Sequence, residues 1–132
     1  MKKQAGVWID HKGAYLVFVG EDAQESRRTE SGMEKHVRYS GHAAQHEGSA
    51  DDQRDRQFAA HLGTYYDEVI SQLADADSIL IFGPGEAKDE FHTRLVGKGL
   101  GAKVVGVEAA DKMTDHQVAA KVRQHYEKTA GR

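Results

Sequence analysis

The residues best suited to chemistry crowd into one stretch of the chain, residues 31–56. His36, His42 and His46 lie there, with His42 and His46 at i and i+4, the spacing that sets two imidazoles on one helix face for a zinc ion. Glu34, Glu47 and Asp51 offer carboxylates that could complete such a site. Against a metal centre, the segment is rich in glycine and serine and has no helical periodicity, so the ligands would lack a rigid support. Ser40, His42 and Glu47 supply the residue types of a nucleophilic triad, but the same lack of support argues against one. Lys35, Arg38, Arg54 and Arg56, with Arg27 and Arg28 upstream, bracket the segment with positive charge. Arginine's planar fork suits bidentate contact with phosphate, so these cations can face RNA. They can equally pair with Glu30, Glu34, Asp52 and Asp55.

Elsewhere the chemical signals are thinner. Gly83-Pro84-Gly85 has the composition of a phosphate cradle before a helix. Glu86 would already complement that helix dipole, Pro84 removes an amide donor, and neither the P-loop nor the dinucleotide pattern is present, so the sequence predicts a structural turn. Asp10 and Glu108, near the ends of expected strands, are the carboxylates a two-metal nuclease would need, but two are too few. The chain has no cysteine, which excludes disulfides and thiolate metal sites. Its formal charge is −3, from 18 basic and 21 acidic residues. RNA binding would therefore depend on a local basic patch and not on bulk charge.

The elements that must position these groups read as β-β-β-α-β-α-β-α. Residues 6–10, 14–19 and 23–29 predict three strands joined by tight turns, an antiparallel meander whose third strand is a charged, exposed edge. Residues 31–51 show no apolar periodicity, and a loop of that length inside a small domain is commonly functional or disordered. Phe58, Leu62, Tyr65 or Tyr66, Val69 and Leu73 then form one stripe, which predicts an amphipathic helix over 52–73. Residues 79–82 read as a buried strand. Ala87, Phe91 and Leu95 mark a second helix, ended by Gly97 and Gly99, and residues 103–107 a further strand. The last helix starts at a capping box, Thr114 with Gln117, flanked by a Met113–Val118 staple. Strands joined through helices are expected to be parallel, and strands 14–19 and 79–82 are expected inside the sheet.

The 132 residues suit one domain with one core, and no apolar run is long enough to span a bilayer. The N-terminus lacks a signal-peptide pattern, so the composition predicts a cytoplasmic protein with no membrane partner.

Two motifs and a shorter signal carry a family resemblance over residues 5–126: Phe82-Gly83-Pro84-Gly85-Glu86-Ala87-Lys88, Ala110-Asp111-Lys112-Met113-Thr114, and Lys35-His36-Val37-Arg38. With the element order, they resemble the middle domain of eukaryotic- and archaeal-type peptide-chain release factors and of Pelota. They are similar also to stand-alone bacterial proteins labelled translational machinery proteins. The resemblance implies a mixed five-stranded sheet with three helices, of ribonuclease H-like architecture. It further implies ribosome or tRNA as partner, contacted by Lys35, His36, Arg38, Arg54 and Arg56, with no cofactor and no DNA partner. In the release factors Lys-His-x-Arg precedes a catalytic Gly-Gly-Gln. Here Tyr39, Ser40 and Gly41 follow Arg38, and the nearest glutamine is Gln45. Side chains at the glycine positions close the backbone conformations such a loop needs. The expected role is therefore a non-catalytic translation-associated module. Ester hydrolysis through Gln45 and a protein-interaction domain that binds no RNA are the alternatives. The sequence leaves the oligomeric state open.

Overall fold

The computed structural model describes residues 3–20, 24–31 and 48–130, and of residues 48–58 and 128–130 only the backbone. Five strands form one sheet: β1 (Gln4–Ile9), β2 (Gly13–Val19), β3 (Gln24–Glu30), β4 (Ser78–Gly83) and β5 (Val104–Ala109). Their spatial order is β3-β2-β1-β4-β5. The first three strands pair antiparallel, while β4 runs parallel to both β1 and β5. The helices are α1 (Gly48–Leu73), α2 (Ala87–Gly97) and α3 (Asp115–Ala130). This is the mixed five-stranded α/β fold expected from the sequence, with β2 and β4 both interior.

Alternation along the strands divides the core in two. Val7, Ile9, Leu16, Phe18, Ile79 and Ile81 point to one face and pack with Leu62, Tyr65, Val69 and Leu73 of α1 and Phe91 and Leu95 of α2. Trp8, Val17, Leu80 and Phe82 point to the other, where α3 supplies Val118, Ala119, Val122 and Tyr126. Both faces of the central strands are covered, which is why β2 and β4 read as continuous apolar runs. Helix α3 crosses β1 very closely: a Cβ on Gly6 would lie 2.3 Å from Val122 Cγ2. The Tyr126 hydroxyl donates to the Ala5 carbonyl at 2.7 Å, tying the far end of the helix to the same strand.

Strand β3 is the charged edge foreseen in the sequence. The partners of its arginines are not. Arg27 Nε donates to Glu25 Oε2 at 2.7 Å and Arg28 Nη2 to Asp115 Oδ1 at 2.7 Å, while Glu34 and the side chains of Asp52 and Asp55 lie outside the described residues. A strand alternates its side chains, so Arg27 lies over Phe18 on one face and Arg28 over Tyr15 on the other.

The unpatterned segment is shorter than expected, because α1 begins at Gly48 and not at residue 52. Residues 48–51 carry no apolar stripe, so periodicity could not reveal this turn; the acidic residues Asp51 and Asp52 near the helix start were the available signal. The start of α3 follows the sequence closely. Thr114 Oγ1 accepts from Gln117 N at 3.2 Å, and Gln117 Oε1 accepts from Thr114 N at 2.9 Å, a reciprocal capping box. Thr114→Ala is expected to cost about 1 kcal/mol in chemical denaturation. A loss below a few tenths would mean that Met113 and Val118, both packed in the α3-side core, suffice to set the helix start.

Candidate functional site

Two helices cover one face of the sheet and a single helix covers the other. On the α3 side the ends of β1 and β2 are therefore partly open among the described residues, and a cleft of about 420 Å³ lies there. Trp8, Ala14, Tyr15, Met113 and Val118 form its apolar wall. Asp10, Lys12, Arg28, Glu30, Lys112 and Asp115 supply its charged groups. Three of these six are already engaged. Arg28 and Asp115 pair with each other, and Asp10 Oδ1 accepts the amides of Lys12 and Gly13, each at 2.9 Å. Lys12, Lys112 and Glu30 have no side-chain partner among the described residues.

The turn that presents Lys12 is held from several directions. Tyr65 donates to the Asp10 carbonyl at 3.0 Å, and Tyr66 donates to Glu90 Oε1 at 2.7 Å. His11 Nε2 meets the same Glu90 oxygen at 2.9 Å. Burial raises both tyrosine pKa values above the ordinary phenol range, with the Glu90 carboxylate adding to the shift at Tyr66, so both stay protonated as donors. Ser31 completes the corner: its amide donates to the Lys12 carbonyl at 2.9 Å and its hydroxyl to the His11 carbonyl at 2.7 Å, while His61 Nε2 contacts the Ser31 carbonyl. Ser31, next to the cleft residue Glu30, is thus an anchored point.

The two motifs that best carry the resemblance meet at this end of the sheet. Ala110 N donates to the Gly83 carbonyl at 3.0 Å, and Trp8 Nε1 to the Asp111 carbonyl at 3.2 Å. Gly83-Pro84-Gly85 acts as the structural turn the sequence predicted. Gly83 has φ 153° and Gly85 φ 65°, and Lys88 Nζ closes the turn onto the Gly85 carbonyl. Glu86 stands at the N-cap position of α2, one step before the first turn where the sequence placed it, and makes no side-chain cap hydrogen bond; the acidic residues of the first turn are Asp89 and Glu90.

Of the residues singled out in the sequence, Lys35, His36, Arg38, His42, Gln45 and His46 lie outside the described residues. Arg54 and Arg56 fall on the N-terminal half of α1, and their side chains lie outside as well. Among the described residues no three His, Asp or Glu side chains gather as a metal site. Asp10 and Glu108 serve structure: the first caps the β1–β2 turn and the second pairs with Lys121 at 2.9 Å. Sequence reading missed the cleft, which joins residues about a hundred positions apart. The one hint was Lys112 and Met113 inside a recognised motif. No helix of the described residues is long and apolar enough to cross a membrane.

No family model matches the chain, and no curated protein matches it. Solved structures do. The Pelota protein of Thermoplasma acidophilum superposes with a TM-score of 0.57 at 20% identity, over 91% of this chain and 31% of that one. Pelota of Archaeoglobus fulgidus gives 0.53 at 12% identity, over 97% of this chain and 36% of the other. The archaeal translation termination factor aRF1 gives 0.51 at 12% identity, over 97% and 40%. The chain therefore has the fold of one segment of these proteins and spans about a third of their length.

Proposed function

We propose that the chain is a non-catalytic translation-associated module, akin to the stand-alone bacterial proteins it resembles, that contacts the ribosome or tRNA through residues 31–56. The observation that carries this reading is the fold shared with Pelota and the archaeal termination factor over nearly the whole chain. The basic residues Lys35, Arg38, Arg54 and Arg56 and the imidazole of His36 supply the RNA-facing groups. The sequence after Arg38 argues against catalysis, because Tyr39 and Ser40 stand where a release factor needs two glycines.

A protein-interaction role without RNA is favoured by one observation: Arg27 and Arg28, at the start of the basic stretch, are already paired with carboxylates. Binding of a labelled tRNA, measured across salt concentrations, separates the two readings. A salt-dependent complex supports the first; absence of any complex at low salt supports the second.

Gln45 gives a further test. Gln45→Ala is expected to leave tRNA association within about twofold, since a neutral amide adds no counterion release. Wild type and variant alike are expected to show no turnover of a peptidyl-tRNA ester. Hydrolysis by the wild type that disappears in the variant would establish the esterase reading instead.

A further inference from the structure

We propose that the cleft between the β1–β2 turn and the start of α3 binds a nucleotide, its base against Tyr15 and its phosphate between Lys12 and Lys112. The inference deepens the reading above, on which it rests for the source of the nucleotide, a single-stranded RNA residue or a free mononucleotide.

The chemistry of the wall selects this class. A cleft of about 420 Å³ lies within the roughly 300–1,000 Å³ typical of small-molecule sites. It combines aromatic and sulfur-bearing surface from Trp8, Tyr15 and Met113 with two cations that have no partner among the described residues. An apolar ligand would leave Lys12 and Lys112 unused, and a bare anion would leave the ring of Tyr15 unused. A nucleotide uses both, since its base is flat and apolar on its faces and its phosphate is anionic. Arg28 is held by Asp115 and lies 5.7 Å from the Tyr15 ring centre, so it braces the ring and is not a free phosphate ligand.

The site is also formed before any ligand arrives. Its floor is the paired ends of β1 and β2, Trp8 is tied to the Asp111 carbonyl, the Lys12 turn is closed on Asp10, and Met113 precedes a capped helix. Little ordering remains to oppose binding.

Trp8 is the sole tryptophan of the chain and lines the cleft, so its fluorescence reports on the site directly. The full chain is titrated with AMP, with adenosine and with a short oligouridylate, with excitation at the red edge of tryptophan absorption. AMP or the oligomer, or both, are expected to give a saturable change, with adenosine at least about tenfold weaker than AMP for want of a phosphate. A response to the oligomer alone identifies a strand as the source; a response to AMP alone identifies a free nucleotide.

Tyr15→Leu, which keeps an apolar side chain at the position, is expected to weaken binding by about tenfold. Lys12→Ala with Lys112→Ala is expected to weaken it at least as much and to lower the salt slope for the oligomer by about 1.4. No saturable change with any probe, or binding indifferent to both variants, overturns the proposal. RNA that binds while Trp8 stays silent sinks the cleft and leaves the translation reading standing. A Trp8 response in a protein that ignores ribosomes and tRNA does the reverse.

Discussion

Gly83→Ala is expected to destabilise the protein by about 3 kcal/mol or more. Two costs coincide at this residue. Its φ of 153° belongs to a region that essentially only glycine occupies. A Cβ there would also lie 2.3 Å from the carbonyl oxygen of Ile9, and the obstacle is backbone in the middle of the sheet, so no rotamer change relieves it. The residue also accepts the Ala110 amide, so any shift that eases the clash disturbs the joint between β4 and the strap leading to α3. At about 4 °C per kcal/mol for a chain of this size, the midpoint of thermal unfolding should fall by more than about 10 °C. Gly97→Ala is the control. That glycine has ordinary φ and nothing within 4 Å of an added Cβ, so alanine there should be neutral or slightly stabilising. A Gly83→Ala protein that melts within about 2 °C of wild type would show that β4 and β1 separate more readily than their pairing implies.

The second large effect is functional. Replacing Arg38, Arg54 and Arg56 together by alanine is expected to weaken ribosome or tRNA association by about a hundredfold at low salt and to reduce the slope of log affinity against log salt by about 2 to 3. The sign follows from counterion release: each phosphate neutralised by an arginine frees a condensed cation, so a complex that has lost three such contacts is weaker and less sensitive to salt. The fold should be unaffected by the two changes on α1, since alanine favours helix. Equal salt slopes for the triple variant and wild type would place the interface elsewhere on the molecule, and the cleft rim with Lys12 and Lys112 would be the next surface to alter.

Much of the fold was legible because its local signals agree with one another. Strand β4 is apolar on both faces and bounded by turn residues, the pattern of a strand covered on both sides, and it lies between β1 and β5. Thr114 and Gln117 announced a helix start through their spacing alone, and both hydrogen bonds of the box are present. Gly83 and Gly85 were readable as a turn, although the closeness of Ile9 to Gly83 is a tertiary fact with no local trace.

The candidate site was much less legible. Charge composition can gather Lys35, Arg38, Arg54 and Arg56 into a patch, but it does not determine which carboxylate claims an arginine. Arg28 found Asp115, far away in sequence, because α3 starts beside β3. Lys12 and Lys112 line one cleft for a similar reason: the β1–β2 turn and residues 110–114 before α3 share one end of the sheet. No periodicity or spacing encodes that meeting.

The central claim, a translation-associated module that binds RNA without hydrolysing an ester, is tested most directly by sedimenting the tagged 132-residue chain with ribosomal fractions at two salt concentrations. The account predicts that the protein travels with ribosomes or tRNA at low salt and is released at high salt, following the counterion dependence of phosphate contacts. A protein that stays at the top of the gradient at both salts, or that co-sediments equally at both, would contradict it.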